Sequence, residues 1–158
     1  LVDHLARREG IVLVGPDAES EQWVGGLGER AGVPWMTAHK VRRGDRDVTI
    51  ELPELDQFAG RQAILVDDVI SSGTTLERAI AALADAGLGT AACLCIHGLF
   101  AGDAEQRLRA AGAGELVSSN TIAHDSNRID VTPLLAGAVT ELLASAGDAG
   151  VDPDAMRG

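Results

Sequence analysis

Tyrosine is absent from this chain, and two phenylalanines and two tryptophans are its whole aromatic content. Its core must therefore rest on Ala, Leu, Val and Ile, with Trp23 and Trp35 packed among them. Cysteine is almost as scarce. Cys93 and Cys95 lie two apart in an apolar run; on a strand they would share a face, too constrained to bridge each other. They read as core thiols, and nothing points to secretion. Basic residues are few: 13 Lys and Arg stand against 24 Asp and Glu, for a net charge of −11. That balance argues against nucleic-acid affinity and against anionic membranes. No apolar run reaches membrane-spanning length and no signal peptide is evident, so a cytoplasmic protein is the expectation. No G-x-x-x-x-G-K-S/T loop occurs, so any ATP site is not of the P-loop type. The four histidines show no metal-ligand spacing. There is also no initiator Met: the chain opens at Leu1 already in amphipathic register, and preceding sequence is expected.

What is present suits a folded domain. At 158 residues, 46% of them hydrophobic, the chain fits one domain with a real core. The domain is expected over 1–146, followed by a disordered Gly-, Asp- and Pro-containing tail over 147–158. Strand and helix patterns alternate. Short strands are expected at 11–14, 33–38, 115–117 and 129–131, and buried ones at 63–66 and 90–97. Helices are expected at 1–9, 19–31, 74–86, 103–111 and 133–145. Val48, Ile50 and Leu52 suggest a strand arm after the basic stretch 39–47. The implied fold class is α/β: a mostly parallel central sheet with helices on both faces. Ligands in such sheets gather at the C-terminal strand ends. Gly15–Asp17, His39–Arg46 and Asp67–Thr75 are expected to converge there. A relaxed dinucleotide fingerprint at Gly26–Ala31 falls inside a helix, not at a strand-to-helix turn, and is set aside.

The stretch 63–76 organises the rest. An apolar run ends in Asp67 and Asp68, a short hydroxyl-rich loop follows, and Leu76, Ala79, Ile80 and Leu83 start a helix pattern. Exposed amides at a helix start favour an anion such as phosphate. Ser71, Ser72, Thr74 and Thr75 add hydroxyl donors, and Gly73 permits close approach or positive φ. The two carboxylates suit a neighbouring diol, or a hard metal ion. Phosphate plus diol on one ligand describes a sugar phosphate. The plainer alternative is a Ser/Thr-capped turn.

Asp67 to Thr75, D-D-V-I-S-S-G-T-T, resembles the phosphoribosyl pyrophosphate loop of the type I phosphoribosyltransferase fold. That loop alone does not separate enzymes that use phosphoribosyl pyrophosphate from those that make it. The flanks do. Gly15-Pro16-Asp17, Lys40-Val41-Arg42, His97-Gly98-Leu99-Phe100-Ala101, Ser119-Asn120-Thr121-Ile122 and Asp130-Val131-Thr132-Pro133-Leu134-Leu135 resemble, in order, segments of the ribose-phosphate diphosphokinases. The resemblance implies transfer of diphosphate from ATP to ribose 5-phosphate, with Mg2+, by an assembly of identical copies. It implies that Ser71, Ser72, Gly73, Thr74 and Thr75 hold the 5-phosphate and that Asp67 and Asp68 meet the ribose hydroxyls. Lys40 and Arg42 would be catalytic, and Asp17 a metal ligand or simply a turn residue. For Arg43 and Arg46 the plainer reading, balancing nearby acids, stays ahead, as does a hydrogen-bonded, non-catalytic His97. Two departures stand out. Family members have two similar halves, and this chain matches the C-terminal one. Glu19 and Glu21 also place acids beside a diphosphate site. The alternatives are a phosphoribosyltransferase that consumes phosphoribosyl pyrophosphate, and a non-catalytic sugar-phosphate-binding homologue.

Overall fold

The computed structural model describes residues 1–42, 48–52, 55–88 and 91–148. Eight strands and five α-helices alternate along them. The strands are β1 (Ile11–Gly15), β2 (Trp35–Thr37), β3 (His39–Arg42), β4 (Val48–Glu51), β5 (Gln62–Ile70), β6 (Ala91–Gly98), β7 (Ala113–Ser119) and β8 (Asn127–Ile129). The helices are α1 (Val2–Leu5), α2 (Glu21–Ala31), α3 (Thr74–Asp85), α4 (Ala104–Ala111) and α5 (Thr132–Asp148). Six strands form one sheet in the order β2-β1-β5-β6-β7-β8, every pairing parallel. β3 and β4 form a separate antiparallel pair.

The central strands are apolar along their length because both faces are covered. Alternation then splits their side chains between two cores. Val12, Val14, Leu65, Cys93, Cys95 and Leu116 join Leu76, Ile80 and Leu83 of α3 and Leu108 of α4. Leu13, Ile64, Val66, Leu94 and Val117 join Leu5 of α1 and Val24 and Leu27 of α2. The register makes the layers explicit: Leu13 lies beside Ile64 and Ile64 beside Ala92, while Val66, Leu94 and Val117 form another row. Cys93 and Cys95 are buried, free thiols, as expected, and burial pushes both up to about 12.

Several boundaries differ from the expected ones. α1 ends at Leu5, and Gly10, at φ +65°, turns the chain into β1. β7 extends to both sides of 115–117. β8 ends at Ile129 because the next residues build the start of α5: Asp130 accepts from the Thr132 N–H at 2.9 Å, and Asn120 Oδ1 accepts from the Val131 N–H at 2.9 Å. Trp23 and Trp35 are half-buried against the second core rather than inside it. The Trp35 indole lies on Gly25 and Gly28; a Cβ on Gly28 would sit 2.7 Å from its ring. Gly28 of the discarded dinucleotide match, with Gly25 just before it, thus makes room for tryptophan. α5 carries the chain on to Asp148, and the rest of the expected tail lies outside the described residues. Among the described residues no helix is long and apolar enough to cross a membrane.

Candidate phosphate cradle at the sheet's switch point

From β1 the chain steps outward to β2, and from β5 it steps the other way to β6. The crevice between the C-terminal ends of β1 and β5 is therefore where the strand order reverses, the usual ligand position in such sheets. β1 pairs with β5 only as far as Val14 and Leu65, whereas β5 stays paired with β6 to Ile70 and Gly98. β5 thus carries Asp67, Asp68, Val69 and Ile70 beyond the end of its β1 ladder. The two carboxylates sit within a strand, not after it as the sequence pattern suggested. Val69 and Ile70, both β-branched, extend the pairing with β6.

Asp67 is half-buried and Asp68 exposed. Each carboxylate accepts from the next residue's backbone N–H: Asp68 N–H to Asp67 Oδ1 at 3.0 Å, Val69 N–H to Asp68 Oδ1 at 2.7 Å. Burial pushes the Asp67 carboxyl up to about 6; the negative charges of Asp68 and Asp17 push the same way, against the pull of the Asp68 N–H. Asp17 is therefore close enough to act on Asp67, and Gly15–Asp17 and Asp67–Thr75 come together as expected. Asp17 also accepts from the Ser20 N–H at 3.3 Å, closing a capping box on the short 3-10 turn Ala18–Ser20. Glu19 and Glu21 are exposed.

The loop after β5 forms an open cavity of about 120 Å³ lined by Asp67 and residues 69–76. Its carbonyls are tied down from outside. Leu99 and Phe100 N–H both donate to Ile70 O at 3.0 Å, and Ala101 N–H donates to Ser71 O at 3.1 Å. The Arg107 guanidinium donates to Ser72 O. In a trans peptide the carbonyl and the following N–H point in opposite directions. Fixing these carbonyls on one side turns the Ser71, Ser72 and Gly73 N–H groups to the other. Among the described residues no hydrogen bond engages those three N–H groups. Thr74 and Thr75 add the open amides of the first turn of α3. Gly73, at φ +72° and ψ 0°, takes the left-handed turn into the helix, and a Cβ there would meet Leu108 of α4 at 3.3 Å. The result is a ring of unpaired donors, able to hold an anion in an acidic protein.

Lys40 and Arg42 belong to the basic stretch that precedes the expected strand arm. Their backbone lies in β3, with Lys40 opposite Ile50 and Arg42 opposite Val48. Ile50 and Leu52 pack against the core that includes α3, so the hairpin stands beside the helix that begins at the cradle. Arg43 and Arg46 lie outside the described residues. His97, at the end of β6, bonds Thr121 Oγ1 through Nδ1 at 2.9 Å, so it has the hydrogen bond expected of it. The role of α4 and of the 99–101 segment was not foreseen. The resemblance at His97–Ala101 marked the second segment without its role, and the only signal for Arg107 was its i, i+4 spacing from Asp103, which resembles any solvated helix pair.

Magnesium suits these donors chemically. It is held by one or two carboxylates, substrate phosphates and several waters. Asp67 and Asp68 supply hard oxygens whose mutual repulsion a cation would relieve. Among the described residues no three His, Cys, Asp or Glu form a closed metal site.

Residues 1–131 match the phosphoribosyl transferase domain family. A ribose-phosphate pyrophosphokinase of Methanopyrus kandleri is 34% identical over 142 residues, covering 88% of this chain and 48% of that protein. Among solved structures, the phosphoribosylpyrophosphate synthetase of Mycobacterium smegmatis aligns with a TM-score of 0.71 at 26% identity, over 90% of this chain and 48% of that one. The orotate phosphoribosyltransferase of Aeropyrum pernix, also 26% identical, aligns less well: TM-score 0.52, over 72% of this chain and 60% of that one. The chain spans about half the length of the curated relatives it matches.

Proposed function

The chain belongs to the phosphoribosyl transferase domain family, and we propose that it is the ribose 5-phosphate-binding half of a ribose-phosphate pyrophosphokinase. The observation that carries this reading is the cradle: unpaired N–H groups and hydroxyls at Ser71–Thr75 directly beyond a strand bearing Asp67 and Asp68. The first set fits a 5-phosphate, the second a ribose diol. The structural likeness to the synthetase over 90% of the chain, against the shorter and poorer likeness to the orotate enzyme, favours making phosphoribosyl pyrophosphate over consuming it.

In the proposed reaction the ribose 1-hydroxyl attacks the β-phosphorus of ATP. The new bond is C1–O–P, the broken one joins the β-phosphorus to the α-phosphate oxygen, AMP leaves, and the hydroxyl proton is lost. Ser71–Thr75 and Asp67–Asp68 fix the two ends of the sugar phosphate, so that the 1-hydroxyl approaches in line. Lys40 and Arg42, on the hairpin beside α3, are assigned to the negative charge on the transferred group. Asp67 and Asp68, with Asp17 nearby, are the residues assigned to Mg2+. When bound, it would neutralise phosphate charge. We place the protein in the cytoplasm, where its free buried thiols Cys93 and Cys95 stay reduced, and in an assembly of identical copies.

Two assays separate the readings. A protein containing this chain and a partner half is expected to convert ATP and ribose 5-phosphate to AMP and phosphoribosyl pyrophosphate. Turnover of phosphoribosyl pyrophosphate with a free base, and none with ATP, would assign it to the base transferases instead.

A further inference from the structure

We propose that Arg107 is a positioning residue for phosphate binding: it pins the Ser72 carbonyl and thereby aims the Gly73 N–H into the cradle. This role rests on the ribose 5-phosphate reading of the loop.

The peptide unit between Ser72 and Gly73 is the last one before α3. The carbonyls of Ile70 and Ser71 are held by backbone donors of the 99–101 segment. The carbonyl of Ser72 is held by the Arg107 guanidinium. A left-handed glycine follows, and such a unit rotates at little steric cost. Without a donor behind its oxygen, nothing named above prevents the Ser72–Gly73 plane from turning its N–H away.

The guanidinium also faces two carboxylates. Its Nε lies 3.1 Å from Asp103 Oδ1, at the N-cap of α4, and its Nη1 lies 3.8 Å from Glu77 Oε2, on α3; both are ion pairs rather than hydrogen bonds, and Nε has no hydrogen-bond partner among the described residues. Arg107 thus joins α4, the loop and α3 through one planar group. One hydrogen bond to the loop and two ion pairs share this guanidinium, so its charge is balanced by the carboxylates of Asp103 and Glu77 while one N–H is aimed at Ser72 O. Leu108, the next residue, lies beneath Gly73. Two consecutive residues of α4 therefore support the same turn, one by packing and one by a hydrogen bond. Arg107 faces the back of the loop, and it acts on the ligand through the Gly73 amide.

The experiment follows the 158-residue chain and two variants by calorimetry and by amide NMR, with ribose 5-phosphate and inorganic phosphate as probes. Arg107→Met keeps the aliphatic stem and removes every donor; Arg107→Lys keeps the charge and a single donor nitrogen. The Gly73 amide of the unaltered chain is expected to shift on titration with either probe. Arg107→Met is expected to weaken both probes by about tenfold or more, the scale of one well-aimed donor, with the Gly73 shift lost. Arg107→Lys is expected to recover most of the affinity. The positioning role is overturned, with the cradle reading intact, if Arg107→Met binds within about twofold of the parent, or if it binds weakly while Gly73 shifts as before, which would mean charge alone. It is also overturned if both variants lose affinity equally and α4 melts with them. If the unaltered chain binds neither probe, the cradle reading fails, and the positioning role fails with it.

Discussion

At Asp67, burial and two neighbouring carboxylates oppose ionisation, and the carboxyl is pushed from an ordinary 3.8 up to about 6. The folded chain therefore holds this proton more tightly than the unfolded chain does. Its contribution to stability is complete below about pH 4 and is lost as pH rises through about 6. Asp67→Asn, which removes the charge and keeps the shape, is expected to be more stable than the parent at pH 8 and equal to it near pH 4. Denaturation midpoints at the two pH values check this; a gap of the same size at both would contradict it. A carboxylate kept at such a cost suits a site whose ligand compensates it. The identities of Asp67 and Asp68, and of the hydroxyls after them, were legible in the sequence, because residue types announce what they can bond. That β5 runs on through both acids was not, because it depends on pairing with β6, a non-local contact.

The loop between β5 and α3 shows how an element gains function from its neighbours. Its own residues supply hydroxyls and a glycine, but the direction of its N–H groups comes from the next crossover, through Leu99, Phe100, Ala101 and Arg107. Gly73 meets two demands, positive φ and the approach of Leu108. Gly73→Ala is expected to cost about 1–2 kcal/mol of stability from the left-handed turn, and to weaken ribose 5-phosphate binding beyond that. Denaturation and calorimetry on one preparation separate the two losses. Loss of stability with unchanged affinity would make the turn structural only. The hairpin of β3 and β4 was half legible. The alternation of Val48, Ile50 and Leu52 marked one strand. The basic residues of the other masked its strand character, because charge along a strand resembles a solvated loop.

Across the whole molecule, the alternation of strand and helix patterns was enough to place a parallel sheet between helices. The hydrophobic runs carried that information because buried parallel strands have no polar face. The sequence pattern does not reveal how α5 differs from the other helices. Leu134, Leu135, Val139, Leu142 and Leu143 are all exposed, with Leu142 at 68%; among the described residues, α5 adds no side chain to either core. Leu94, 2% exposed at the centre of the second core, is a useful contrast. Leu94→Ala is expected to cost about 2–5 kcal/mol, and Leu142→Ala to stay within about 0.5 kcal/mol. Chemical denaturation of the isolated chain compares them directly; equal losses would mean that α5 packs on the domain after all.

Binding of ribose 5-phosphate to the 158-residue chain, measured by calorimetry with and without Mg2+ and set against ribose and inorganic phosphate, tests the central claim most directly. Ribose 5-phosphate is expected to bind more tightly than either part alone, because the cradle and the carboxylates hold its two ends together. Asp68→Asn should weaken it and leave inorganic phosphate unchanged. Equal affinity for ribose 5-phosphate and inorganic phosphate, or no binding of either, would contradict a sugar-phosphate site at Asp67–Thr75.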